Sequence, residues 1–381
     1  MAENVKVLDV EADVEKKLAT HFGGPKRAYA YFGEDKYFIP KTYKNHADGI
    51  RRMPLREDDI WVATFPRSGT TWTQEMVWLI NNKLNYEKAA DSRLMQRYIF
   101  LEFRSFLTQE IIDELYSNQA ESHSVFVDYK SLVNAASPRF FKTHLPMPLL
   151  PAQLLDTARV VYVARDPRDV AVSYYHHNKL FKVFGFTGDF KDYWEFFKNN
   201  QVEHAPFFAH VKGAWAQRNH PNMLFLFYEE MYKDLPSVVR RVAKFFEKQY
   251  SDEQLDKLCE HLTFDNMKQN AAVHPKWLRE SADGAKVEKF FRKGANARAL
   301  SNPREVTRTL PAFKDEIRYL MEEEVGHQKS YSLDETQQRI PLFQVCKSGG
   351  WRDYFDDKMA EEAEDWIQSN LRDTDLRFPE V

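Results

Sequence analysis

Between Thr64 and Trp72 the chain reads Thr-Phe-Pro-Arg-Ser-Gly-Thr-Thr-Trp. Three hydroxyl side chains, those of Ser68, Thr70 and Thr71, surround Gly69 and follow Arg67. A short loop that opens a helix presents free backbone N–H groups at the positive end of the helix dipole, which suits phosphate or sulfonate groups. Gly69 lets the backbone approach an anion closely and adopt unusual dihedrals. The hydroxyls add donors, and Arg67 adds a fixed positive charge. This is not a Walker A loop, which needs Gly-x4-Gly-Lys-Ser/Thr with the hydroxyl on magnesium. The leading Gly and the Lys-Ser/Thr pair are missing here. Taken alone, the same residues also fit an ordinary strand-to-helix turn capped by Ser or Thr.

The flanking residues must place that loop. Ile60 to Phe65 is a β-branched and aromatic run stopped by Pro66, and it predicts a buried strand. Trp72, Met76, Leu79 and Ile80 fall at helical spacings over 71–81. Further strands are predicted over 139–144, 158–164 and 222–228. A helical stretch begins at Val170, an amphipathic helix covers Leu235 to Phe246, and another candidate helix lies near Phe313 to Glu324. Apolar strands alternating with helices predict an α/β domain with a central parallel sheet flanked by helices. In such sheets ligands bind outside the carboxyl ends of the strands. The unusual polar residues stand at those ends: Arg67 and Ser68, Lys142 to His144, Arg165 and Tyr228. Residues 1–25 are polar and charged, which predicts a loosely held arm before a single domain over 26–381.

Bulk composition narrows the partners. The 381 residues are 43% hydrophobic and 29% charged, enough for a sizeable core. A net charge of −3 gives no bulk reason to bind nucleic acid or an anionic membrane, so any anion site must be built locally. Aromatic residues reach 14%, which fits a Phe-rich core or an aromatic pocket for a flat, apolar small molecule. Two cysteines, Cys259 and Cys346, exclude a disulfide framework and suit a reducing compartment. The first twenty residues lack the apolar run of a signal peptide, and no 18 consecutive apolar residues occur. A cytoplasmic location without membrane insertion is expected. No cluster has metal-ligand spacing, so no metal is expected.

Phe65-Pro66-Arg67-Ser68-Gly69-Thr70-Thr71-Trp72 resembles the 5′-phosphosulfate loop of the cytosolic sulfotransferase family. Arg165-Asp166-Pro167-Arg168-Asp169-Val170-Ala171-Val172-Ser173-Tyr174-Tyr175 resembles its 3′-phosphate segment. Lys142-Thr143-His144-Leu145-Pro146 resembles its catalytic strand end. Leu226 to Glu230 and Phe290-Phe291-Arg292-Lys293-Gly294 resemble two further donor contacts. These motifs occur in order between 26 and 294, and the likeness resumes from 347. There Gly350 to Phe355 and Asp373 to Arg377 look most like the insect branch that includes retinol dehydratase.

The resemblance implies a P-loop-like sulfotransferase fold. It implies 3′-phosphoadenosine 5′-phosphosulfate (PAPS) as co-substrate, and a small hydrophobic alcohol or phenol as acceptor. His144 becomes the candidate general base, since an imidazole titrates near working pH. Lys142 neutralises charge on the transferring group. Arg67 stands where the family usually has Lys beside the leaving phosphate; it keeps the charge but does not readily give up a proton. Ser68, Gly69, Thr70 and Thr71 grip the phosphosulfate. Arg165 and Ser173 hold the 3′-phosphate, with Phe290, Arg292, Lys293 and Gly294 closing over it. Arg168 reads as a surface or ion-pairing residue. Trp72 and Phe264 sandwich the adenine and Tyr228 bonds its edge. Leu262 and Met267 lie on the adenine side, Leu262 where Thr is common. Phe100 to Ser105 and Lys179 to Phe186 are expected to line the acceptor pocket.

Three departures stand out. Arg67 is one. The second is 295–346, which reads as an insertion of 52 residues, because its removal would join Arg292-Lys293-Gly294 directly to Lys347-Ser348-Gly349-Gly350-Trp351. It reads either as a lid or as an unspliced intron, and mass-spectrometric detection of peptides from 295–346 separates the two. The third is the family's C-terminal dimer motif, where Asp356-Asp357 replace a Thr-Val pair; a homodimer by that route is doubtful. Two functions follow: an active sulfotransferase, whose product is a stable sulfate or a dehydrated compound, or a PAPS-binding protein that Arg67 and the insertion have disabled.

Overall fold

Strand β4 (Ile60–Thr64) sends Ile60 and Val62 into one core layer and Trp61 and Ala63 into the other. That is the period-two alternation of a strand buried on both faces. The computed structural model describes residues 4–23, 28–108, 129–180, 184–273 and 348–380. Among them, β4 lies in the middle of a five-stranded sheet with β5 (Ile99–Phe100), β6 (Phe140–Thr143), β7 (Arg159–Ala164) and β8 (Met223–Phe227). All pairs are parallel, in the order β5-β6-β4-β7-β8. The four predicted strands are found where the apolar runs lie. β5 has only two residues, too few to carry a period.

The order runs outward from β4 in both directions, so the chain reverses its winding at the carboxyl end of that strand. Ala63 pairs with Thr143 and Thr64 with Val163. This register gathers the polar ends of β4, β6, β7 and β8 on one edge. Helix α2 (Thr70–Asn81) leaves the loop after β4 and buries Met76, Leu79 and Ile80. Helix α3 (Pro167–Leu180) leaves β7 and carries Ser173, and α4 (Phe207–Trp215) packs in the layer that also holds Phe65.

The N-terminal residues are not a loosely held arm. β1 (Val7–Asp9) pairs with β2 (Tyr29–Phe32), which pairs with β3 (Tyr37–Pro40) in a small antiparallel sheet. Helix α1 (Ala12–His21) buries Val14 and Leu18. Two apolar residues four apart suffice to hold a helix whose other positions are mostly charged or small. At the other end α5 (Asp357–Leu371) buries Met359, Ala363, Ile367 and Leu371, every fourth residue. Asp356 caps it by accepting from Met359 N at 2.9 Å. Among the described residues no helix is long and apolar enough to cross a membrane. The candidate helix at Phe313 to Glu324, the insertion 295–346 and Phe290, Arg292, Lys293 and Gly294 lie outside the described residues.

Candidate active site

The loop after β4 turns through two left-handed residues, Arg67 at φ 70° and Gly69 at φ 99°. Gly69 is the residue that precedes α2, so the N–H groups that follow it point out of the helix start. A Cβ on Gly69 would lie 2.8 Å from Tyr228 Cδ2. Both the dihedral and the ring demand glycine. Gly69→Ala is therefore expected to weaken binding of adenosine 3′,5′-bisphosphate (PAP) about tenfold, since strain of this kind is worth about 1–3 kcal/mol. Calorimetric titration checks this; an unchanged affinity would show that the left-handed turn is dispensable.

The loop is prepared for an anion. Ser68 is fully buried, and its Oγ has no hydrogen-bond partner among the described residues. Trp72 Nε1 is in the same condition. An orphaned buried donor costs about 1–3 kcal/mol, which a phosphate or sulfonate oxygen would offset. Arg165 braces the loop from β7: its Nη1 donates to the Arg67 carbonyl at 3.1 Å, and its guanidinium lies 4.2 Å from the Tyr228 ring centre. Arg67 Nε donates to Ser173 Oγ at 3.1 Å. The loop and α3 are thus joined by the very residues expected to hold the two phosphates. Trp72 meets Tyr228 edge-on at 5.8 Å. Thr71, Trp72 and Phe264 are half-buried, while Leu262 and Met267 are buried in the core layer beneath.

The candidate base is held from several sides. His144 Nδ1 lies 2.9 Å from the Thr64 carbonyl. A carbonyl only accepts, so Nδ1 carries the proton and Nε2 keeps the lone pair. Thr64 Oγ1 lies 3.1 Å from the same Nδ1 and 2.7 Å from Thr70 Oγ1. One threonine therefore touches both His144 and the start of α2. On the other side His210 Nε2 donates to the His144 carbonyl at 2.9 Å, which leaves His210 Nδ1 to accept from Tyr162 OH at 2.7 Å. Burial, then the charge of Lys142, hold His144 well below the usual imidazole range, so it stays neutral and able to accept. Burial also pushes Lys142 down to about 8, against the pull of Glu102. Its Nζ lies 4.0 Å from the Phe100 ring centre, and Phe100 meets the His144 ring edge-on at 5.5 Å.

The sulfotransferase domain model matches residues 57–298. The chain belongs to the sulfotransferase family. It is 39% identical over 250 residues to luciferin sulfotransferase of Photinus pyralis, across 65% of this chain and 66% of that protein. Among solved structures it is similar to retinol dehydratase in a complex with retinol and PAP, at 36% identity and a TM-score of 0.78. It is also similar to retinol dehydratase in complex with androsterone and inactive cofactor PAP, at 34% identity and 0.77. Both matches cover 100% of each chain. The central parallel sheet flanked by helices is the sulfotransferase fold.

Within this sulfotransferase site the fold brings together Arg67, Ser68, Gly69, Thr70, Lys142, His144, Arg165, Ser173 and Tyr228. Arg168 does pair: Nη2 lies 2.7 Å from Asp166 Oδ2 and Nη1 3.1 Å from Glu364, with its guanidinium over Trp351. Sequence reasoning passed over Thr64 as a contact of His144. It also passed over His210, Asp169 and Glu102. Asp169 accepts from Gly349 N at 2.7 Å and Trp351 N at 3.0 Å, tying the C-terminal segment to the first turn of α3. Glu102 accepts from His144 N at 2.6 Å and from Thr143 Oγ1 at 2.8 Å. A lone carboxylate within Ile99-Phe100-Leu101-Glu102-Phe103 was the available signal. Of the expected acceptor segments, Phe100 and Glu102 touch His144, while 181–183 fall outside the described residues.

Proposed function

We propose that the protein moves a sulfonate from PAPS to the hydroxyl of a small hydrophobic alcohol or phenol, with His144 as general base. The observation that carries this is Thr64: its carbonyl fixes the tautomer of His144, and its hydroxyl bonds Thr70 in the anion loop. Base and donor loop are thereby held at one distance. PAPS, when bound, supplies the activated sulfonate. His144 Nε2 takes the acceptor proton as the acceptor oxygen attacks sulfur, and the sulfur–oxygen bond to the phosphate breaks in line, releasing PAP. Lys142 balances negative charge on the transferring oxygens. Arg67 to Thr71 orient the phosphosulfate, and Arg165 and Ser173 orient the 3′-phosphate.

The names of the similar proteins support an apolar acceptor with one hydroxyl: a luciferin sulfotransferase, and a dehydratase crystallised with retinol and with androsterone. Phe100 and Phe106, both near His144 or its neighbour His204, suit such a molecule. A screen with labelled PAPS against phenols, sterols and retinoids tests the reading. Transfer to none of them, together with tight PAP binding, would instead support a donor-binding protein without turnover.

The site also predicts a pH dependence. Lys142 is charged below its depressed pKa and neutral above it, so the rate should fall as pH rises through about 8. His144 is already neutral well below 6.5 and adds no fall there. Lys142→Arg, which cannot deprotonate, should flatten the alkaline limb whatever it does to the absolute rate. A wild-type kcat/KM that stays level from about pH 7 to 9.5 would refute the role of that charge.

A further inference from the structure

We propose that Glu102 is the positioning residue of this active site: its two carboxylate oxygens clamp the end of β6 so that His144 meets the acceptor hydroxyl. The proposal rests on the reading of His144 as the base. One oxygen, Oε1, accepts from the His144 backbone N–H at 2.6 Å. The other, Oε2, accepts from Thr143 Oγ1 at 2.8 Å. Thr143 Oγ1 in turn accepts from Leu145 N at 3.0 Å. One side chain therefore governs three consecutive residues at the strand end.

The segment that bears Glu102 is itself fixed. It follows β5, where Phe100 pairs with Lys142, and Leu101 N donates to Lys142 O at 3.0 Å. Glu102 is fully buried. A buried carboxylate is an expensive way to fill space, and an apolar residue would pack the same volume without the desolvation penalty. Burial raises its pKa to about 7, and the His144 and Thr143 donors and the Lys142 ammonium pull the other way. Those are the groups a clamp needs, and the two donors are spent on the backbone and side chain of the base's own segment.

The wider arrangement points the same way. His144 is bonded at three places by three elements: its ring Nδ1 to Thr64 of β4, its carbonyl to His210 of α4, and its N–H to Glu102. Ring orientation follows only when the backbone is also held. Glu102 is the one of these partners that accepts from two adjacent residues, so its removal frees the backbone at 143–145 together.

The test uses the full chain and the variants Glu102→Ala, Glu102→Gln and Thr143→Val. Glu102→Ala should lower kcat on the order of 100-fold, the scale of a misplacement of about 1 Å, while KM for PAPS and PAP affinity hold. Glu102→Gln keeps one acceptor oxygen and should fall about tenfold; Thr143→Val should fall in the same direction by less. Glu102→Ala added to His144→Ala should lower the residual rate no further, because a positioning residue acts only through the group it positions. In parallel, NMR of histidine-labelled protein, with His144 assigned by its loss in His144→Ala, should show a single tautomer in the wild type and a mixture in Glu102→Ala. That spectrum needs no turnover. If wild-type protein transfers no sulfonate, the functional reading fails while the spectrum still decides the clamp. Wild-type kcat in Glu102→Gln with an unchanged His144 spectrum overturns the proposal, as does a further rate loss in the His144→Ala background. Should Glu102→Ala not fold, the Gln and Val variants carry the same comparison.

Discussion

His144→Ala is expected to lower sulfonate transfer on the order of 1000-fold, within the range that a well-placed general base contributes. Donor binding should survive. The residues proposed to grip the donor lie on the loop from β4 into α2, after β7 and on α3, and their contacts with one another, Arg67 to Ser173 and Arg165 to the Arg67 carbonyl, do not pass through His144. The one shared atom group is Thr64, whose hydroxyl keeps Thr70 as a partner at 2.7 Å when the imidazole is removed. Turnover under saturating PAPS, set beside calorimetric PAP affinity, separates the two effects. Near-normal turnover in the variant would remove His144 from the chemistry. Equal losses in turnover and PAP affinity would mean that the ring is part of the donor site.

Arg139→Leu should cost about 3–5 kcal/mol of folding stability, the usual effect of leaving one member of a buried ion pair behind. Arg139 stands just before β6, at the opposite end of that strand from His144. Its Nε donates to Asp59 Oδ1 at 2.7 Å and its Nη2 to Oδ2, with further bonds to the Leu132 and Pro54 carbonyls at 3.1 and 3.0 Å. The side chains of Arg139 and Asp59 are only 1% and 0% exposed. A loss of this size is a large part of a typical domain's stability of about 5–15 kcal/mol. Replacing both partners, Arg139→Leu with Asp59→Leu, should recover much of it, since two apolar residues leave no stranded charge. Denaturant midpoints at constant slope measure both. A single-variant loss below about 1 kcal/mol would place the pair with weak surface bridges instead.

These two residues illustrate how unevenly the molecule could be read in advance. Arg139 was legible as the start of a strand, but nothing in the run Arg139 to His144 says that its guanidinium meets Asp59, eighty residues earlier. The conformation of the β4 loop was legible because it is local: a glycine at positive φ leading straight into a helix. The N-terminal segment is less legible for the opposite reason. Its charged residues are conspicuous, while those that hold it, Val10, Val14 and Leu18 among them, act through a core built by other parts of the chain.

The sequence by itself determined the strands β4, β6, β7 and β8, the loop that joins β4 to α2 and the identity of the residues at the strand ends, since strand burial and loop chemistry are properties of neighbours along the chain. Tertiary structure alone decided which strand ends meet. The order β5-β6-β4-β7-β8 and the register of Ala63 with Thr143 set Thr64 against the ring of His144, Arg67 against Ser173 and Glu102 against the His144 N–H. Those pairings arise because parallel strands carry their polar termini to one edge of the sheet. There, residues from separate crossovers compete for the same few buried donors and acceptors.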